Sequence, residues 1–167
     1  MIKFSFNKQK ATEAILYLAK KEPGISKMRL LKFMFFADCY HINKYGRPIL
    51  GDRYVAMDNG PVLSKLYDML KRSTDDYTVI NNKITAMRES DNDYFSNSDI
   101  EALEYSFNQY SQYETLEMSD LSHESEGWKK ARNANPHSKN PSMHWENLIE
   151  NEDVLKELKE YSEAIVF

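Results

Sequence analysis

The 167-residue sequence has little cysteine, glycine and proline: one Cys, five Gly and five Pro. The lone Cys39 excludes an internal disulfide, and the glycines form no phosphate-binding run of the P-loop or GxGxxG type. The four His lie at positions 41, 123, 137 and 144, without the HxxH or HxxxH spacing of zinc sites. No window approaches the ~18 apolar residues of a membrane span. The sequence therefore predicts no cofactor, no metal and no membrane segment.

Length and charge set the next expectations. A chain of this length is expected to form one domain, residues 1–167, that buries roughly 70% of its unfolded surface. The first residues contain no apolar run resembling a signal sequence, so we expect a cytoplasmic protein. Residues 1–72 hold 14 Lys/Arg against 6 Asp/Glu, whereas residues 73–167 hold 8 against 20. This asymmetry fits either two solvated faces or surfaces for oppositely charged partners.

The stretch from Met28 to Ile42 is apolar on nearly every side of a helix, which is typical of a buried helix. Ser26 is a suitable N-cap, and Gly46 followed by Pro48 is a suitable stop. We therefore predict a central helix over residues 27–45, with Cys39 in the core.

A few short strands are expected beside the helices. Tyr54–Met57 has β-forming composition, and Tyr77–Ile80 and Lys83–Met87 flank Asn81-Asn82, a pair suited to a two-residue hairpin turn. A hairpin this short is marginal alone, so we expect it to pack on Tyr54–Met57 in one small sheet.

The remaining apolar repeats and caps predict further helices. A first helix is capped by Asn7, a third is opened by Asn59-Gly60-Pro61, and a fourth is opened by a capping box at Ser98 to Glu101. A fifth helix covers residues 115–122 with Leu116 and Leu121 inward. C-terminal helices cover 146–150 and 153–164, the last with Leu155, Leu158 and Ile165 on one side. Residues 164–167 suit either a docking or degradation tag or a frayed helix end.

The sequence also offers candidate residues for a hydrolase centre and for DNA binding. Asp38 and His41 are three residues apart and can touch, and His123 could approach them as in a hydrolase; the alternative is that these groups orient helices through hydrogen bonds. The first two helices with the small sheet also resemble a winged helix-turn-helix with basic residues at Lys20, Lys21, Lys27, Arg29 and Lys32. The second helix, however, is too apolar to be a recognition helix.

Five motifs then occur in a fixed order. They are Lys-x-x-x-Phe-Ala-Asp at Lys32, Tyr-Gly-Arg-Pro-Ile at Tyr45, Gly-Asp-x-Tyr-x-Ala at Gly51, Gly-Pro-Val at Gly60 and His-x-x-x-Gly-Trp at His123. Together they resemble the Panacea domain of the SocA-like antitoxins of bacteria, phages and mobile elements. The resemblance covers about residues 11–132 and leaves a C-terminal helical extension, 143–167.

This resemblance implies a mainly α fold with a small antiparallel β element (α+β). It also implies an antitoxin that binds a toxin encoded beside it, and the family includes a proteolytic adaptor that delivers its toxin to the ClpXP protease. No catalytic residue is established for the family, so the resemblance implies a protein that is not an enzyme. The link Glu124-Ser125-Glu126 is longer or more acidic than the family's short link to the tryptophan.

The motif carries over residue by residue, onto Lys32, Phe36, Ala37, Asp38, Tyr45, Gly46, Arg47, Pro48, Gly51, Asp52, Tyr54, Ala56, Gly60, Pro61, Val62, His123 and Trp128. Most of these have a structural explanation; Gly60 and Pro61, for example, are expected to begin a helix. The polar members Lys32, Asp38, Arg47, Asp52 and His123 are harder to explain by packing. We expect them to form one cluster beside the central helix that fixes the loop from Arg47 to Tyr54, or to contact a partner.

We therefore expect an antitoxin that neutralises a cognate toxin by direct binding. Candidate contacts are Tyr105 and Tyr113 on the segment Asp99–Tyr113, which are equally suited to a core role, and the acidic second half, which would complement a basic toxin. The alternatives are an adaptor for ClpXP and a small DNA-binding regulator.

Overall fold

Seven α-helices and five short strands follow one another in the computed structural model, which describes residues 2–164. The helices are α1 (Lys8–Lys21), α2 (Lys27–Tyr45), α3 (Ser64–Met69), α4 (Asn97–Tyr110), α5 (Thr115–Ser122), α6 (Glu126–Ala134) and α7 (Glu152–Ala164). The strands are β1 (Ile25–Ser26), β2 (Tyr54–Met57), β3 (Gly60–Leu63), β4 (Tyr77–Ile80) and β5 (Lys83–Ala86). The predicted fold class, mainly helical with a small antiparallel element, is confirmed.

Helix α2 is the central element and has the predicted bounds. The Ser26 hydroxyl accepts a hydrogen bond from the backbone N–H of Arg29, and Gly46 ends the helix in the left-handed region at φ +77°. The helix buries most of its apolar side chains and also three polar ones, Lys32, Asp38 and His41. These three groups therefore need partners inside the protein.

Helix α4 packs along α2 through aromatic side chains. Phe36 stacks on Tyr110 with ring centroids 3.8 Å apart, and Phe33 lies 5.3 Å from Phe107. The predicted capping box is placed two residues too late. Ser96, not Ser98, is the N-cap, because the Asp99 carboxylate accepts its backbone N–H while the Ser96 hydroxyl accepts that of Asp99.

The hairpin of β4 and β5 turns at Asn81-Asn82, both at positive φ, as predicted. The prediction that it joins Tyr54–Met57 in one sheet is wrong. β5 pairs with β1, and β2 pairs with β3 in a separate two-stranded sheet. The other edge of β2 is occupied, since Ala56 donates its N–H to the Pro141 carbonyl and Met143 donates to that of Tyr54.

Gly60 and Pro61 do not begin a helix, which corrects the prediction for this segment. They open β3, with Met57 paired to Gly60 across a turn at Asp58-Asn59 and Gly60 at φ +109°. Proline is tolerated here because β3 is an edge strand that pairs only with β2 among the described strands. Helix α3 starts only at Ser64.

Three further predictions concern the second half of the chain. Leu116 is 73% exposed rather than buried, because Met118 takes the inward position of the short helix α5. The predicted helix over 146–150 is a single 3-10 turn, Trp145–Asn147. It stops there because the backbone N–H groups of Glu150 and Asn151 donate to the side chain of Asn43. The expected inward side chain of Ile165 and the end segment 164–167 fall at or beyond the end of the described residues.

Candidate functional site

Asp38 joins the central helix to the loop that follows it. Its carboxylate is inaccessible to water and accepts hydrogen bonds from the Ile49 N–H and the Tyr54 hydroxyl, both at 2.8 Å. Burial raises the pKa of Asp38 to about 7, although the two hydrogen bonds oppose that shift. The loop is thus held by a buried carboxyl group.

Asp52 anchors the next turn of the chain. Its carboxylate accepts the backbone N–H groups of Arg53, Lys65 and Leu66, the last two in the first turn of α3. It therefore supplies the cap that the short helix lacks, because the N-cap residue Leu63 has no polar side chain. Burial raises the pKa of Asp52, against the effect of these hydrogen bonds.

Lys32 is a buried amine that bonds the start of strand β3. Its Nζ donates to the Pro61 carbonyl at 3.1 Å, and no carboxylate of the described residues pairs with it. Burial lowers the pKa of Lys32 to about 7. The amine lies beside Gly60, where a larger residue would meet both Lys32 and Ser122.

His123 and Trp128 hold the turn between β2 and β3. The ring nitrogens of His123 lie 2.6 Å from the Ser119 carbonyl and 2.7 Å from the Asp58 carbonyl, and Trp128 donates its indole N–H to the Met57 carbonyl at 2.8 Å. The two rings meet edge to face, 4.4 Å apart. Both side chains thus bind the backbone of residues 57 and 58.

Arg47 connects the loop to helix α4. Its guanidinium donates to the Asp99 carboxylate at 3.1 Å and to the Ser96 hydroxyl at 2.9 Å. Lys10 of α1 also pairs with Asp99, at 2.6 Å. Helices α1 and α4 and the loop thus meet at one buried carboxylate.

The five polar residues expected in one cluster therefore occupy separate places. Lys32, Asp38, Arg47, Asp52 and His123 are all described by the structure, and no hydrogen bond joins any two of them. Apart from the groups on or capping α4, those on α5, and His41, which contacts the Arg47 carbonyl, their hydrogen-bond partners lie between residues 48 and 66, a span we call the 48–66 segment. Asp38 and Asp52 bond the loop from Arg47 to Tyr54 that one cluster is expected to fix, whereas Lys32 and His123 bond the β2–β3 hairpin.

The histidine pair weighed as a hydrolase centre is not assembled. His41 contacts the Arg47 carbonyl through Nδ1 at 2.6 Å and the Ser98 hydroxyl through Nε2 at 2.9 Å, whereas His123 lies at the β2–β3 turn. Asp38 has neither histidine among its hydrogen-bond partners. Among residues 2–164, no three His, Cys, Asp or Glu side chains are placed to hold a metal ion.

A groove of about 990 Å³ runs along one flank of α2. The floor is formed by a stripe of α2 residues: Phe35, Phe36, Cys39, Tyr40, Asn43 and Lys44. The walls come from α4, from the junction of α5 and α6, and from the segment before α7: Tyr105, Tyr110, Leu121, Glu124, Ser125, Glu126, Asn147, Leu148, Glu150 and Asn151. We call this feature the α2 groove.

The α2 groove includes one of the two expected contact tyrosines. Tyr105 is 39% exposed and stacks on Tyr40 with ring centroids 4.2 Å apart. Tyr113 is half-buried beside Tyr110 and does not line the groove. Cys39, expected in the core, is only half-buried and reaches the groove floor, although its surroundings raise the pKa of its thiol.

Sequence reasoning missed the residues that shape the far end of the groove. Asn43 accepts the N–H groups of Glu150 and Asn151 and donates to the Leu148 carbonyl, so one side chain ties the C-terminal segment to α2. An asparagine inside an apolar helix was the available signal, because it needs a polar partner.

A family model described as "Antitoxin SocA-like, Panacea domain" matches residues 30–129. No curated protein and no solved structure matches the chain. In the described part of the chain, every helix is too short or too polar to cross a membrane. The matched residues, more than half of the chain, contain the anchors of the 48–66 segment and most of the α2 groove, and an antitoxin family implies a toxin as partner. The chain therefore belongs to the SocA-like antitoxin family, with its Panacea domain over residues 30–129.

Proposed function

We propose that this antitoxin neutralises its toxin by direct, stoichiometric binding in the cytoplasm, and that the α2 groove is the contact surface. The observation that carries the proposal is the groove itself, a concave site of about 990 Å³. Ligand and peptide sites are typically concave, and this one has a partly apolar floor bordered by largely polar walls.

The aromatic side chains of the groove support protein binding. Tyr40, Tyr105 and Tyr110 line it, and each is held by ring stacking or by packing on the core. Tyrosine is enriched among residues that dominate binding energy, and a ring already held in place loses little rotamer freedom on association. A toxin segment would therefore meet a preformed surface.

The engagement of the reactive side chains supports a role without catalysis. His41 and His123 bond backbone carbonyls, and burial raises the pKa of the Cys39 thiol, which disfavours the nucleophilic thiolate. Occlusion of the toxin's active surface requires no reaction. We therefore expect one antitoxin to be consumed for each toxin neutralised.

The basic residues weighed for DNA binding are largely engaged within the protein. Arg29 pairs with Glu22 and donates to the Ser111 carbonyl, Lys32 is buried, and Lys20 lies 3.4 Å from Glu89. Contacts to DNA phosphates need exposed cations that are free to release counterions. This favours a protein partner over a nucleic acid.

The test is co-expression with the toxin encoded by the neighbouring reading frame, scored by growth and by co-purification. We expect rescue that requires about equimolar antitoxin, and loss of rescue for Tyr105→Ala. The control is Tyr94→Ala, which removes a tyrosine of similar exposure, 46%, outside the groove. Full rescue by Tyr105→Ala, or rescue at far below equimolar amounts, would contradict the proposal.

The proteolytic adaptor is separated by the toxin's lifetime. Binding by occlusion leaves toxin half-life unchanged or longer, whereas delivery to ClpXP shortens it. Rescue that disappears in cells lacking this protease, with the complex still formed, would assign the adaptor role instead.

A further inference from the structure

The rim of the α2 groove carries three acidic side chains, of which one is paired with a cation among the described residues. Glu124, Glu126 and Glu150 are exposed lining residues. Among the described residues, Glu126 has one ion-pair partner, Lys129 at 3.5 Å, and Glu124 and Glu150 have none. The rim therefore presents a negative potential to an approaching partner.

The one cation in the lining is already neutralised. Lys44 lies 3.0 Å from the Glu101 carboxylate, which also accepts the hydroxyl protons of Tyr40 and Tyr45 at 2.9 Å and 2.7 Å. The Lys44 charge is thus balanced by Glu101, a carboxylate that is not part of the groove lining.

The floor offers an apolar stripe at helical spacing. Phe35, Phe36, Cys39 and Tyr40 fall on successive turns of α2, and Leu121 and Leu148 face them from the walls. From Phe35 to Tyr40 the apolar stripe extends about 7.5 Å at the α-helical rise, and Asn43 and Lys44 continue the floor to about 13 Å. A partner that covers the whole floor needs about two and a half helical turns, with its apolar residues over the Phe35–Tyr40 part.

The lining also restricts the backbone of the partner. Its residues belong to helices, to the link between α5 and α6 and to the segment before α7, and no strand of the described chain borders the groove. Addition of a partner strand is therefore excluded, because no free strand edge is available to bond it. A helix satisfies its backbone hydrogen bonds internally and so needs none from the groove.

We propose that the α2 groove takes a cationic amphipathic helix of the toxin, with its apolar stripe on α2 and its Lys or Arg side chains beside Glu124, Glu126 and Glu150. This inference rests on the proposed function and names the chemistry of the partner segment. Charge complementarity selects a basic helix, and the apolar floor supplies the contact area.

The test uses the full-length antitoxin and three synthetic helical peptides of about four turns, labelled for fluorescence anisotropy. The first has a Leu stripe flanked by Lys, the second has the same stripe flanked by Glu, and the third keeps the Lys but replaces the stripe by Ser. We expect the first to bind at least about ten-fold more tightly than either of the others, with an affinity that falls as salt rises. Equal binding of the first two, or binding of none, would overturn the inference.

Matched variants assign the binding to the groove. The double change Glu124→Lys and Glu150→Lys is expected to weaken the Lys peptide by about ten-fold or more and to strengthen the Glu peptide. Asp75→Lys with Asp93→Lys makes the same change in net charge at two exposed acidic residues outside the groove, and it should leave the preference in place. If both double variants lose the same affinity for the Lys peptide, the effect is one of overall charge and the groove is not the site.

Two further readouts separate the possible occupants and the two proposals. Sedimentation of the antitoxin alone should show a monomer; a dimer that the Lys peptide dissociates would identify a second copy as the occupant. Growth rescue without peptide binding would sink this inference and leave the proposed function standing. Peptide binding without rescue would contradict the proposed function, and with it the assignment of the bound helix to the toxin, while leaving the groove as a site for basic helices.

Discussion

The Asp38 carboxylate accepts the hydroxyl proton of Tyr54 at 2.8 Å, and neither side chain is accessible to water. This bond joins the central helix to β2. The same carboxylate accepts the Ile49 N–H, so two parts of the loop depend on one buried group.

Asp38→Asn tests this junction through its pH dependence. Because burial raises the pKa of Asp38 from 3.8 to about 7, the folded state keeps a proton that the unfolded state releases as pH rises between these values. The free energy of unfolding should therefore fall across that window, by roughly 2–4 kcal/mol in the absence of other titrations. The amide cannot ionise, so the variant should lose this fall and be at least as stable as the parent at pH 8. Denaturant unfolding at several pH values measures this pH dependence of the free energy of unfolding, with the exposed Asp75→Asn as control.

Lys32→Met tests a buried group whose contribution to stability has the opposite pH dependence. Burial lowers the pKa of Lys32 from 10.5 to about 7, so between these values the folded state binds fewer protons than the unfolded state. Stability contributed by Lys32 therefore rises with pH from about 7 to 10.5, and the variant should lack that rise. The exposed Lys8→Met serves as the comparison, and an unchanged pH profile in Lys32→Met would refute the buried amine.

Gly60→Ala should be strongly destabilising. Gly60 has φ +109°, and an added Cβ would clash with the Ser122 hydroxyl and approach the Lys32 amine. We expect a loss of about 3 kcal/mol in the free energy of unfolding. Gly24→Ala is the control, since Gly24 is also at positive φ but faces open space, and it should cost only about 1 kcal/mol. Equal costs at the two positions would contradict the packing at Gly60.

Asn43→Ala should loosen the C-terminal segment while leaving the rest folded. The change removes acceptors for the Glu150 and Asn151 N–H groups, and α7 buries no side chain fully. Hydrogen exchange should become faster over residues 150–164 and stay unchanged in α4. Asn135→Ala provides the reference, because it removes one asparagine hydrogen bond, from the C-cap Asn135 to the Ala131 carbonyl of α6. Faster exchange throughout the molecule in Asn43→Ala would mean that Asn43 supports the whole fold.

The features predicted correctly from sequence depend on residues that are adjacent in the sequence. The Ser26 cap, the Gly46 stop and the Asn81-Asn82 turn are local choices of backbone conformation, and each is confirmed. The errors arise where distant segments compete. Asn59-Gly60-Pro61 suits a helix start or a hairpin, and pairing of β3 with β2 decides between them.

The candidate site was harder to predict for the same reason. Four of the five polar motif residues lie between Lys32 and Asp52 in the sequence, yet they bond different partners, because their directions depend on where α4, α5 and the β2–β3 turn pack. The α2 groove combines residues from Phe35 to Asn151. No local pattern marks such a surface before the chain is folded.

The floor of the α2 groove belongs to the same helix whose other sides hold the interior together. Substitutions that adapt the floor to a new toxin would therefore also disturb folding, whereas those on the rim, at Tyr105, Glu124 or Glu150, would not. Toxin specificity should consequently be retuned from the rim, and a bound toxin should raise the melting temperature by clamping the helix on which the whole fold is built.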